Sequence, residues 1–243
     1  MSVRRTFIFS LTLIDALLRE VSDVGGVVSF SYDNFYGFVP DKYRRDSVYG
    51  ITHSLKKDGV IASDKKGVFH LTEKGRQGLI TESIRLEFIN QPWDGKWRIV
   101  GFDVEENNRR IRDSFRRFLK HNGFGMVQKS LYVSPLPIEN KVAEFLSSHV
   151  GVLGNAYIFV SENFFFGDRK VFLDNTFSIS KLNDLYRSIL KRINNDVAVE
   201  DRQKILRDFL EITSKDPLLP KELLPKDFVR DEVVLALQRR KIL

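Results

Sequence analysis

The order in which residues 97–160 change their hydrophobic period constrains the fold of this chain more than any other feature. Trp97 to Val104 is an apolar β run, and the next stretch has helical spacing, with Ile111, Phe115, Phe118 and Leu119 on one stripe up to a break at Gly123. Phe124 to Met126 and Ser130 to Val133 read as a strand pair, Ile138 to Val150 as a second helix and Ala156 to Val160 as a fourth strand. Strand and helix in the order βαββαβ are the split-βαβ, ferredoxin-like arrangement.

This central module (91–175) sits between an N-terminal module (1–90) and a C-terminal one (176–243), so the fold class expected is α+β. The chain has 243 residues, 42% of them hydrophobic, and a formal net charge of +7. Such a basic balance points to an anionic partner, nucleic acid above all. The excess is spread evenly, +2, +2 and +3 over the three modules, so a binding surface must come from folded faces rather than a basic tail. With no cysteine, a disulfide framework, a thiolate zinc site and a cysteine nucleophile are excluded. His53, His70, His121 and His149 show no metal-ligand spacing. Arg4 and Arg5 ahead of an apolar run suggest a signal peptide, but Asp15 interrupts the run and Phe7, Leu11, Ile14 and Leu18 fit one stripe of an amphipathic helix. The expectation is a cytoplasmic protein with no membrane partner.

In the N-terminal module the first helix ends at Gly25-Gly26, and Pro40-Asp41 marks a new start. In the tract KYRRDSVYGITHSLKKDGVI, Val48, Ile51 and Leu55 make a narrow core face, opposite Arg44, Arg45, Ser47, Tyr49, Thr52, His53 and Lys56. Gly59 stops this helix. Val60 to Ala62 and Val68 to Leu71 then form a hairpin with Lys65 and Lys66 near its tip. Helix, helix, basic helix and hairpin is the order of a winged helix-turn-helix, in which the third helix enters the major groove and the wing touches phosphates. Arg44, Arg45, Lys56, Lys65 and Lys66 suit phosphates, while Ser47, Tyr49, Thr52 and His53 suit base edges. Winged helices also serve as protein-interaction modules, with such lysines merely solvated.

Two features of the central module can carry chemistry. Asp103 emerges at the end of the first strand beside Glu105 and Glu106, where a carboxylate can bind Mg²⁺ with help from a symmetry mate. It can equally cap the next helix or order the turn into it. On that helix Arg109, Arg112, Arg116 and Lys120 recur at steps of three and four and share a stripe. The stripe can touch a DNA backbone, pair with acids across a dimer or be solvated.

In the C-terminal module Lys181 to Ile193 and Asp201 to Ile212 read as amphipathic helices, the first lined by Leu182, Leu185 and Ile189 and the second by Ile205, Phe209 and Ile212. A last helix runs through Val233 to Leu237, making this a helical domain. Phe164 to Asn175 reads as a linker whose apolar cluster, Phe164 to Phe166, packs under the C-terminal module or lines an interface or pocket.

The stretch WDGKWRIVGFDVEENNRRIRDSFRRFLKHNGFGMVQKSLYVSP resembles the central domain of the phenylacetic acid degradation repressor (PaaX) family of transcriptional regulators. The likeness extends to the DG turn at Asp58-Gly59, to LTEKGR at Leu71 to Arg76, and to FSISKLNDLYRSIL and DPLLPKELLPKDF downstream. It implies a cytoplasmic homodimeric repressor of double-stranded DNA, released from a two-fold related operator by a small-molecule effector of the acyl-coenzyme A type, and no required cofactor. The central domain is also similar to the ferredoxin-like endonuclease subunit of CRISPR adaptation complexes, whose metal-binding aspartate matches Asp103. Two readings follow: a DNA-binding regulator that is not an enzyme, or a Mg²⁺-dependent nuclease centred on Asp103.

Overall fold

The structure is a computed structural model that describes residues 6, 7, 9–11, 13, 14, 17, 29–31, 38, 48–65, 68–75, 88, 91–104, 108–149, 155–162, 167–195 and 199–242. Two compact units interleave along the chain: Met1–Glu82, Lys181–Lys215 and Asp227–Leu243 form one, and Ser83–Ser180 with Asp216–Lys226 form the other.

In the first unit the described positions between 6 and 17 are helical, with Phe7, Leu11, Leu13, Ile14 and Leu17 buried. Leu18 lies outside the described residues. Strand β1 (Ser29–Ser31), helix α1 (Val48–Lys57) and strands β2 (Ile61–Lys65) and β3 (Val68–Leu71) follow. The strands form an antiparallel sheet in the order β1-β3-β2, with Phe30 opposite Phe69 and Ile61 opposite Leu71. The segment after α1 is locked from several sides. Gly59 takes the left-handed conformation, at φ 69°, and the Thr72 hydroxyl donates to the Gly59 carbonyl at 2.6 Å while accepting from the Gly75 N–H at 3.0 Å. A Cβ at Gly75 would lie 2.3 Å from the Val60 carbonyl oxygen, so the DG turn and LTEKG residues are held by close backbone packing.

The second unit contains the βαββαβ sequence: β4 (Trp97–Phe102), α2 (Arg109–His121), β5 (Gly125–Gln128), β6 (Leu131–Ser134), α3 (Glu139–Ser147) and β7 (Ala156–Ser161). The sheet order is β5-β6-β4-β7, and every neighbouring pair is antiparallel. This is the ferredoxin-like arrangement expected from the hydrophobic periods. Because strand side chains alternate, Val100 and Phe102 share a face with Tyr132 and pack with Phe115, Leu119 and Val142 in one core. Each of these buried side chains contributes roughly 1.5–3 kcal/mol. Gly123, at φ 83°, follows the end of α2 as a left-handed residue, and Gly125 lies against the next helix, where a Cβ would come within 2.4 Å of Thr176.

That next helix, α4 (Arg169–Phe177), corrects the reading of this tract as a linker. Asp168 caps it by accepting from the Val171 N–H at 2.9 Å. It ends at Ser178, left-handed at φ 57°, and the Asp174 carboxylate accepts from the Ser180 N–H at 2.7 Å as the following helix begins. Phe164 to Phe166 lie outside the described residues.

Helices α5 (Ile179–Asn194), α6 (Val199–Lys215) and α7 (Arg230–Arg239) complete the chain. Within the first unit Leu182, Tyr186, Ile189 and Ile193 form the buried stripe of α5, whereas Leu185 is 42% exposed and does not belong to it. The Tyr186 ring meets Phe209 and Phe228, and its hydroxyl donates to Thr213 Oγ1 at 3.2 Å. Asn183 bonds both the Asp227 carbonyl and the Val229 N–H at 2.9 Å, tying the start of α7 to α5.

Candidate nucleic-acid interface

Helix α1 divides its residues more sharply than the sequence suggests. Leu55 and Thr52 are buried, and the Thr52 hydroxyl donates to the Tyr49 carbonyl at 3.1 Å within its own turn. Thr52 therefore faces the core, and its place among base-reading residues is corrected. Its position four residues after Val48 and three before Leu55 puts it on their stripe. Tyr49, 69% exposed, shares the outer face with His53 and Lys56 at steps of four and three. The Lys56 ammonium lies 5.8 Å from the centroid of the Phe69 ring on β3, which leans its stem on the hairpin. Arg44, Arg45, Ser47 and Lys66 lie outside the described residues. Lys65 ends β2 opposite Val68, next to the hairpin tip, and only its backbone is described.

In the second unit Asp103 stands at the C-terminal end of β4. Its N–H donates to the Asn155 carbonyl at 3.2 Å and its side chain is exposed. The N-cap of α2 is Asn108, so Asp103 does not cap that helix. Glu105 and Glu106 lie outside the described residues, and no group of three metal-ligating side chains occurs among those described.

The arginines of α2 are not one uniformly exposed stripe. Arg109 is 74% exposed, whereas Arg112 and Arg116 are 19% and 28% exposed, and all three guanidinium groups surround the single acid Asp113 at 3.6–3.9 Å. Arg116 also donates to the Lys129 carbonyl at 2.9 Å and lies over the Phe102 ring. These contacts hold Arg116 against the sheet. Arg109, Arg110, Arg117 and Lys120 remain exposed, and they carry the positive field of this face.

A different arginine escaped the sequence reading. Arg98 on β4 is 2% exposed, and its guanidinium takes both Asp94 oxygens at 2.8 and 2.6 Å and Glu139 at 2.8 Å. Gly95, left-handed at φ 76°, turns the chain so that Asp94 meets Arg98 and also accepts from the Lys96 N–H at 3.0 Å. Trp93 Nε1 donates to the Lys96 carbonyl at 3.1 Å, and Trp97 packs edge-on to both Trp93 and Phe172. The hydrogen bond from Arg98 holds the Asp94 carboxyl below its ordinary range. Burial pushes Glu139 upward, but the Arg98 hydrogen bond and charge outweigh it and leave its pKa lowered. For Arg98 burial opposes the charge, and the two carboxylates more than offset it, so its pKa is raised. The WDGKWR motif thus builds a turn and a buried ionic clamp. A signal was present in the two acids that the later fold brings to Arg98, but Glu139 is 41 residues away.

The downstream motif is likewise a fold element. Asp216 accepts from the Leu218 N–H at 2.7 Å, Leu218 is left-handed at φ 55°, and Leu218, Leu219 and Leu223 are buried.

Residues 90–171 match the PaaX protein central Cas2-like domain. The uncharacterized protein Rv0674 from Mycobacterium tuberculosis has a similar fold, with a TM-score of 0.51 over 85% of this chain and 86% of that one, at 16% sequence identity. No curated protein matches the sequence. No helix among the described residues is long and apolar enough to cross a membrane. The βαββαβ topology and the match fall on the same residues, so the central part of this chain is similar in sequence to the PaaX protein central Cas2-like domain and has the ferredoxin-like strand order.

Proposed function

We propose that the chain is a DNA-binding transcriptional regulator, a cytoplasmic repressor that acts as a homodimer on a two-fold related operator and is released by an effector of the acyl-coenzyme A type. The observation that carries this reading is the outer face of α1, Tyr49, His53 and Lys56, lying just before the β2–β3 hairpin, where Lys65 ends β2 and Lys66 follows it in the sequence. That order fits a winged helix-turn-helix, with α1 in the major groove and the hairpin as the wing, and the PaaX central domain supports it. Arg44, Arg45, Lys56, Lys65 and Lys66 neutralise phosphates, while Ser47, Tyr49 and His53 meet base edges. Changing Lys65 and Lys66 to Ala weakens binding to every duplex and lowers the slope of log affinity against log salt by about 1 for each phosphate no longer neutralised. Tyr49→Ala or His53→Ala alters sequence preference instead. Titration of the protein's own promoter region at several salt concentrations reads both effects, and failure to bind that region at low salt defeats the reading.

Asp103 favours a second reading, a Mg²⁺-dependent nuclease, because its carboxylate is exposed at a strand end without a hydrogen bond or ion pair among the described residues. Mg²⁺ commonly takes one or two carboxylates and keeps several waters, so a pair of Asp103 side chains from two copies suits it. Cleavage of DNA with Mg²⁺, abolished by Asp103→Asn, supports this reading, and intact DNA after prolonged incubation refutes it.

A further inference from the structure

Within the second unit a cleft of about 360 Å³ opens between α4, the start of α5 and the segment Glu222–Lys226. Its floor is apolar: Leu173, Ile179 and Leu223 are all at least 95% buried. Its rim carries three cations, Arg169, Lys170 and Lys226, and two acids, Asp174 and Glu222. Most of these are engaged. Arg169 donates to the Glu222 carbonyl at 2.5 Å, Asp174 accepts from the Ser180 N–H, and Glu222 Oε1 accepts from the Trp93 N–H at 3.4 Å. Among the described residues Lys170 and Lys226 have no hydrogen bond or ion pair, and both are exposed at the mouth of the cleft.

We propose that this cleft binds a small organic anion with an apolar body, its carboxylate held between Lys170 and Lys226 and its chain or ring laid on Leu173, Ile179 and Leu223. The volume is at the lower end of the range for ligand pockets, so the site suits a compact acid. Charge and apolar floor select together. A neutral apolar molecule leaves both ammonium groups unused, and an inorganic anion leaves the leucine floor in water.

The chain's own tryptophans supply the reporter. Its two Trp residues both belong to this unit, Trp93 bonding Glu222 and Trp97 packing on Phe172 of α4. Titration of the full-length protein with octanoate, followed by tryptophan fluorescence, is expected to give a saturable change, with 1-octanol and inorganic phosphate each at least tenfold weaker. Lys170→Gln and Lys226→Gln, both at exposed positions, are each expected to weaken octanoate binding about three- to tenfold and the pair of changes more. Equal binding of octanoate and octanol, octanoate binding unchanged in the double variant, or no saturable change up to about 10 mM octanoate with the protein folded by circular dichroism overturns the proposal. The promoter titration tests the regulator reading separately, and its failure leaves the octanoate result standing.

Discussion

Arginine does two opposite jobs in the second unit. On β4, Arg98 is buried and clamped by Asp94 and Glu139. On α2, Arg110 and Arg117 are exposed, while Arg112 and Arg116 lie half-buried around Asp113. A buried guanidinium costs several kcal/mol in desolvation and persists only with its hydrogen bonds made, so its partners are part of the fold. An exposed one is screened and weakly paired, which leaves its charge available to a phosphate. Basic residues in this chain therefore divide by burial, not by number.

The largest effect expected follows from breaking the clamp. Arg98→Ala leaves two carboxylates without their cation and should cost about 3–5 kcal/mol in urea unfolding, whereas Arg110→Ala and Arg117→Ala should stay within about 0.5 kcal/mol. Equal losses at the two places would erase the distinction.

Packing offers a second contrast of the same kind. At Gly125 an added Cβ meets Thr176 and Phe177, and at Gly101 it meets nothing within 4 Å. Gly125→Ala should destabilise by about 1–3 kcal/mol, and Gly101→Ala should be neutral or slightly stabilising, both read from unfolding midpoints.

The clamp should also give an acid limb to stability. The pKa values of Asp94 and Glu139 are lowered on folding, so their contribution is fully present above the unfolded carboxylate range near pH ~4 and is lost as pH falls through the lower folded values. Thermal unfolding of wild type between neutral pH and about pH 3 should show this loss, and Asp94→Asn should reduce it.

The smallest effect is expected on α2. If Arg110, Arg117 and Lys120 lie along a DNA backbone, each change to Ala lowers the salt slope by about 1 with little change in sequence preference. An unchanged slope would leave these side chains solvated.

Much of the fold was legible because periodicity reports burial directly. The four central strands and two helices follow the alternation of residues 97–160, with ends displaced by a few residues, as at Gly125–Gln128 and Glu139–Ser147. Other features were hidden for identifiable reasons. β1 is three residues long and depends on β3, about 40 residues later, for its hydrogen bonds. α4 is short and carries only two buried side chains, Leu173 and Phe177, so it looks like a linker. In α5 the sequence placed Leu185 inside, but the buried neighbour is Tyr186, whose hydroxyl finds Thr213. Thr52 was assigned outward by its polarity, and its hydroxyl is satisfied within the helix while its carbon atoms face the core.

The amino-acid sequence by itself determined the βαββαβ order, the even spread of positive charge, the absence of thiol chemistry and the position of Asp103 at a strand end. These follow from local period and from counting, which require no partner. The tertiary structure alone decided which arginines are buried and which stay exposed, that WDGKWR builds an ionic clamp, and that residues 169–180 and 222–226 line an apolar cleft with two lysines that have no partner among the described residues. Burial of a charge, and the meeting of side chains tens of residues apart, depend on which surfaces the folded chain brings together. Hydrophobic period carries no record of that choice.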